Sequence, residues 1–178
     1  DPDPDLLGIY FDTQADENCL QVDPGTTFTA YVILTNTSQD GLDGFEFSYE
    51  HEFDGDFNGQ FMRLGQTLPP GAIDVGSGDA ESGTIQAGLA YPLNSETALV
   101  LVTWRFMVLE NFPVHMYLGP AEIPSIPGES WPIIRNLQGE LMTLGIVGGN
   151  VNRSVAAVNG LCGAEEDMTW GTLKSNFR

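Results

Sequence analysis

Asp54, Asp56, Asn58 and Gly59 reproduce the opening of a twelve-residue calcium loop, in which alternate oxygen ligands are followed by a glycine at the sharp turn. The closing bidentate carboxylate of such a loop falls at position 65, which is Gly65, so the loop lacks its strongest ligand. Calcium is therefore the one cofactor the sequence admits, at Asp54, Asp56 and Asn58, and an acidic solvated turn is the competing reading. Cys19 and Cys162 are the two cysteines, with neither the spacing of a redox pair nor the clustered partners of a zinc site. An even count in an exported chain points to a disulfide, which in a loop this long stabilises by up to about 5 kcal/mol. Two unpaired buried thiols are the alternative. Asn36-Thr37-Ser38 and Asn152-Arg153-Ser154 satisfy the glycosylation sequon, making Asn36 and Asn152 candidate acceptors.

Catalytic constellations do not emerge. His51 and His115 stand apart, and His51, in phase with Phe45, Phe47 and Tyr49, reads as a rim residue of a strand rather than a base. With 25 acidic residues, close carboxylate pairs arise by chance, so spacing nominates no glycosidase acid and base. No nucleophile elbow, zincin helix or phosphate loop is present, and Asp79 and Glu81 after Gly76-Ser77-Gly78 would repel a phosphate. The chain is not expected to be an enzyme.

The elements that would position these groups are strands. Thr97 to Leu109 (TALVLVTWRFMVL) places Ala98, Val100, Val102, Trp104, Phe106 and Val108 on one face with a period of two. Its other face is also largely apolar, so it reads as a central strand. It is too short to span a membrane, and Arg105 lies within it. Phe45 to Phe53 (FEFSYEHEF) alternates aromatic and polar residues and reads as a half-buried strand. Leu6 to Asp12, Thr26 to Thr35, Thr84 to Tyr91, Val114 to Leu118 and Val151 to Val158 add further strands, with weaker ones around Gln60 to Leu64, Ile133-Ile134 and Leu141 to Val147. Asp23-Pro24-Gly25 and Pro69-Pro70-Gly71 supply turns, and a Pro-rich connection runs from Pro120 to Pro132.

A chain of 178 residues, 42% hydrophobic, with 21 Gly and 11 Pro, fits a single β domain. Six basic against 25 acidic residues give a formal charge of −19, which opposes nucleic acid and anionic lipid. No membrane insertion is expected. The leader DPDPD without a preceding apolar segment reads as the start of a processed, secreted chain, placed outside the cell or on its surface.

The order of PGTTFTAYVILTNTS, GLDGFEFSYEHE, GTIQAGLAYPL, TALVLVTWRFMVL and GGNVNRSVAAV resembles a cohesin-like domain, the β-sandwich module of bacterial cellulosomes and related secreted proteins. The resemblance covers most of Pro24 to Val158. It implies an all-β fold, an antiparallel two-sheet sandwich of the jelly-roll or cohesin-like kind; residues 1–162 are read as the domain, and the residues that follow, 163–178, are read on their own spacing as a docking tail. In the cohesin-like order the first and last strands are neighbours, which would let Cys19 meet Cys162. The ending TWGTLKSNFR resembles the Trp-Gly-x-Leu-Lys ending of secreted bacterial β-sandwich proteins. The tail is short and helical or extended, and Trp170, Leu173 and Phe177 share a side that needs a surface, on its own domain or on a neighbouring molecule.

Two functions follow. In the first, Leu7, Ile9 and Phe11 of the leader and Trp170, Leu173 and Phe177 of the tail are subunit interfaces, and the chain assembles with copies of itself into an extracellular fibre or surface layer. In the second, the sandwich is a recognition module that binds a dockerin-like partner or a carbohydrate on one sheet face.

Overall fold

The computed structural model describes residues 4–53 and 60–160. Among them every regular element is a strand: β1 (Leu6–Tyr10), β2 (Cys19–Leu20), β3 (Thr27–Thr35), β4 (Gly41–Phe53), β5 (Phe61–Thr67), β6 (Ala72–Asp74), β7 (Ser82–Asn94), β8 (Ala98–Val108), β9 (Val114–Gly119), β10 (Ile133–Asn136), β11 (Leu141–Thr143), β12 (Gly145–Ile146) and β13 (Ala156–Val158). They form two sheets. The first runs β12-β1-β3-β8-β5. The second runs β11-β10-β4-β9-β13-β2, with β7 also paired to β4 and β6 to β7. Most pairs are antiparallel, as expected of a sandwich, but β1 with β12 and β13 with β2 are parallel. Both parallel pairs involve a short late strand that closes beside an early one.

The alternation in the sequence becomes burial. Phe45, Phe47 and Tyr49 of β4 face Val102, Trp104, Phe106 and Val108 of β8 across the core. Val100 departs from the expected phase. β3 pairs β8 with a register shift, Val32 opposite Val102 and Ile33 opposite Val100, so Leu101 is an extra residue in a bulge. Beyond the bulge the faces exchange, and Leu99 and Leu101 point inward while Val100 is half-buried. Large rings fill the centre: Phe61 and Phe106 stack at 4.6 Å, and Tyr49 lies 4.9 Å from Trp104.

His51 is not on the rim. It is 3% exposed, with Trp104 at 5.8 Å and Phe106 at 5.4 Å. Its polarity argued for solvent, whereas the carbonyl of Ala80 satisfies its donor, accepting a hydrogen bond from Nδ1 at 2.7 Å. A carbonyl can only accept, so Nδ1 carries the proton and Nε2 is bare; Nε2 has no hydrogen-bond partner. Burial is the main reason its pKa falls to about 4, assisted by the Arg63 charge and opposed by the Ala80 bond and Asp79.

Turn chemistry follows the sequence. Thr26 N–H donates to Asp23 O at 3.1 Å and Ala72 N–H to Pro69 O at 3.0 Å. Gly25 and Gly71 take φ of 80° and 77° at the third turn position, the conformation that excludes most other residues. The second turn launches β6, a short edge strand that alternation alone did not reveal.

Candidate recognition face

The outer face of the second sheet carries the features that need explaining. On β4 the residues opposite the core face are Glu46, Ser48, Glu50 and Glu52; the last two are exposed, as a solvated face requires, but Glu46 is 6% exposed. A strap, residues 120–132 between β9 and β10, covers it. Ser125 donates to the Glu46 carboxylate from its backbone N–H and from its hydroxyl, each at 2.6 Å. Gln86 on β7 donates to Glu46 at 3.3 Å and to the Ile123 carbonyl at 2.9 Å. Charge-assisted bonds of this kind hold the middle of the strap against the sheet, while Ala121 and Trp131 bury apolar surface near its two ends.

Beside the strap lies an open trough. Its deeper part, about 260 Å³, runs over β4, β7 and β10 between Ser125 and Leu141, and it adjoins a shallower part of about 460 Å³ that reaches Ile73 and Ala90. Gly88 helps to form the floor: a Cβ added there would meet no atom within 4 Å, so the depression exists because β7 has no side chain at that point. A bulge in β4 next to Gly44 sets Asp43 at the same place, where its carboxylate lies 3.6 Å from the Arg135 guanidinium of β10. Around the trough stand large apolar side chains in solvent: Ile73 is 70% exposed, Val75 77%, Ile123 78% and Leu141 42%. Ile73, Val75 and Leu141 line the trough, and Ile123 stands on the strap beside it.

The residues singled out from the sequence lie elsewhere. Leu7 and Ile9 are fully buried in the chain's own core, and Phe11 packs against Phe28 with ring centroids 5.9 Å apart. Asp54, Asp56, Asn58, Cys162, Trp170, Leu173 and Phe177 lie outside the described residues, as does the proposed tail. Among the described residues no group of three or more His, Cys, Asp or Glu is placed to hold a metal ion. Cys19 sits in β2 opposite Ala157 of β13, and no described cysteine is free. Asn36 follows β3 in a left-handed conformation with φ of 50°, its N–H bonded to Thr97 O at 2.9 Å. Asn152 is exposed in a turn closed by its N–H donating to Asn150 Oδ1 at 2.8 Å.

No protein-family model matches the sequence, and no curated protein does. Solved structures do. The sixth cohesin of scaffoldin B from Acetivibrio cellulolyticus, in complex with a Cel5 dockerin, superposes with a TM-score of 0.59 at 12% identity over 88% of this chain and 99% of that one. A type II cohesin domain from the cellulosome of the same organism gives 0.57 at 12% identity, covering 88% and 96% of the two chains. The chain is a cohesin-like β-sandwich. A type I cohesin–dockerin complex of OlpA from Clostridium thermocellum gives 0.55 at 12% identity, covering 86% and 97%.

These neighbours correct the expectation of a homopolymer. Three of the cohesins that share this fold were solved in complexes with dockerins, a partner of a different kind and not a further copy of themselves. The cohesin-like sandwich itself gives the physical reason on its N-terminal side: Leu7 and Ile9 form β1 between β3 and β12, so their apolar surface is already covered and leaves nothing for another copy to bury. The residues of the trough were missed because they come from separate strands. The one signal available was Gly88, a glycine on the polar phase of an otherwise regular strand.

Proposed function

We propose that the chain is a non-catalytic recognition module that binds a dockerin-like protein through the trough on the outer face of its second sheet. The observation that carries the reading is that exposed Ile73, Val75 and Leu141 line a depression floored by Gly88, with exposed Ile123 on the strap beside it. An apolar side chain of the partner fills the depression and becomes the anchor of the interface. With a formal charge of −19 on this chain, the partner's rim carries lysine or arginine, which steers encounter and makes association fall with salt. The complexes formed by cohesins of the same fold support a dockerin as the partner class. Work takes place outside the cell or on its surface. A Cys19–Cys162 disulfide suits that setting and would tie the segment after β13 to β2.

The test is calorimetric titration of the chain with a panel of dockerins, repeated with Gly88→Arg. The added Cβ meets no atom within 4 Å and the rest of the side chain lies over the trough, so the melting temperature stays put and binding is lost. A dockerin that binds the variant as tightly as the parent contradicts the site, and no binding across the panel contradicts the partner class.

A further inference from the structure

A second cavity opens on the flank of the sandwich, between edge strand β5 of one sheet and β7 of the other, under the loop 75–83. It encloses about 160 Å³ and is lined by Tyr49, Arg63, Gln66, Asp74 and Thr84 among others. We propose that this slot binds a carboxylate, held by the Arg63 guanidinium and the side-chain amide of Gln66.

Arg63 shares the inward phase of Phe61 on β5, and a bulge just after it brings Gln66 to the same side. Arg63 pairs with Phe106 and Gly65 with Arg105, so Leu64 is the extra residue, left 37% exposed, and beyond it Gln66 pairs with Trp104. The guanidinium lies over the Tyr49 ring, 5.4 Å from its centroid, donates to Tyr49 Oη at 2.6 Å and donates to Gly78 O at 3.3 Å. Both acceptors are neutral. A guanidinium has five N–H groups, so donors remain, and among the described residues no ion pair takes them up.

Gln66 is oriented by chemistry. The Trp104 indole N–H can only donate, and it lies 2.9 Å from Gln66 Oε1, so the amide oxygen faces the core and the two amide N–H donors face away from it, on the side that lines the slot. The slot thus presents a cation and a neutral pair of donors. No nearby acid among the described residues forms an ion pair with Arg63: Asp74 Oδ1 accepts the N–H groups of Gly76 and Gln86, each at 2.9 Å, and Asp79 Oδ1 accepts those of Ser82 and Glu81 at 3.1 and 2.8 Å, bonds that, with a smaller contribution from the Arg63 charge, hold the Asp79 carboxyl below its usual range.

The loop is shaped for the same hydroxyl that positions Arg63. A Cβ on Gly78 or Gly83 would approach Tyr49 Oη to 2.5 or 2.6 Å, so glycine at both positions lets the backbone close over the ring, and Tyr49 Oη donates to the Asp79 carbonyl at 2.9 Å. The repeated glycines of GSGDAESG, which have no phosphate to bind, serve this closure. Cavities of about 150 Å³ hold a benzene-sized molecule, so the slot accepts a carboxylate on a short carbon stem. The group comes from a small free acid or from an acidic side chain or C-terminus of a peptide. The net charge of the chain opposes free anions at long range, which sets their affinity on the order of millimolar.

Nuclear magnetic resonance of the 178-residue chain tests the site. Succinate and, separately, a short peptide with an acidic C-terminus are titrated while the Trp104 indole N–H and Arg63 Nε–H signals are followed. Saturable shifts of both signals are expected. Arg63→Gln weakens binding roughly tenfold or more, as loss of a charge-assisted bond requires. Gln66→Glu keeps an oxygen facing Trp104 but puts a carboxylate where the donors were, so the fold survives, as near-ultraviolet circular dichroism checks, and binding is lost. A response to succinate assigns the slot to small acids; a response to the peptide alone assigns it to a partner's carboxylate. Silence from both ligands, or equal binding by Gln66→Glu, overturns the proposal. No dockerin enters the experiment, and Gly88→Arg should leave this binding unchanged, so the slot and the trough stand or fall separately.

Discussion

Acidification should weaken the sandwich through His51. The imidazole is buried among Trp104, Phe61 and Phe106 with Nε2 unpartnered, and its pKa is lowered from 6.5 to about 4. The proton therefore binds the unfolded chain more readily than the folded one. Above pH 6.5 the residue is neutral in both states and costs nothing; as pH falls from 6.5 towards 4, stability is lost. A pKa lowered from 6.5 to about 4 corresponds to a total of about 3 kcal/mol, of which about 2 kcal/mol is gone by pH 5. Carboxylates titrate in the same range, so the comparison is with His51→Phe, which keeps a ring among the aromatic neighbours but cannot take a proton. Losing the bond to the Ala80 carbonyl costs the variant about 1 kcal/mol at pH 7. Urea denaturation of both proteins at pH 7 and pH 5 should show the parent losing about 2 kcal/mol more than the variant. Equal losses in the two proteins would refute the burial argument.

Other outcomes follow from the same structure. Glu46→Ala removes the acceptor of both Ser125 bonds and should cost about 2–3 kcal/mol, with faster amide exchange at Ser125 but not in β8. Reduction under native conditions should destabilise the chain by up to about 5 kcal/mol if Cys19 pairs with Cys162, and loss of the bond should raise exchange at Ala157 and Val158 before β3 and β8; a mass spectrum with two free thiols in the untreated chain contradicts the pairing. Expressed in a host that glycosylates, the chain should carry its glycan on Asn152, which is exposed in a turn, rather than on Asn36, and peptide mapping decides between them.

Much of the fold was legible because a half-buried strand writes its burial into every second residue. Phe45, Phe47 and Tyr49 kept their phase, and so did Trp104 and Phe106. The first half of β8 was not legible, since the bulge at Leu101 is set by pairing with β3 and both alternating series there are aliphatic. β2 and β6 escaped notice because strands this short carry no period; their partners define them. His51 was in the right phase and was denied the core on polarity alone, because the carbonyl that satisfies it belongs to a distant loop. The trough was least legible. A depression depends on what surrounds it, and Gly88, Val75, Ser125 and Leu141 meet only after four separate segments have packed.

The central claim is that the outer face of the second sheet receives a dockerin-like partner. Amide hydrogen exchange of the chain, free and saturated with a dockerin that binds it, tests that claim most directly. Protection confined to Ile73 to Val75, β7 around Gly88, Ile123 to Ser125 of the strap, and Arg135 to Leu141 is the predicted result. Protection on β5, β8 and β3 with the trough unchanged would place the partner on the opposite sheet and contradict the account.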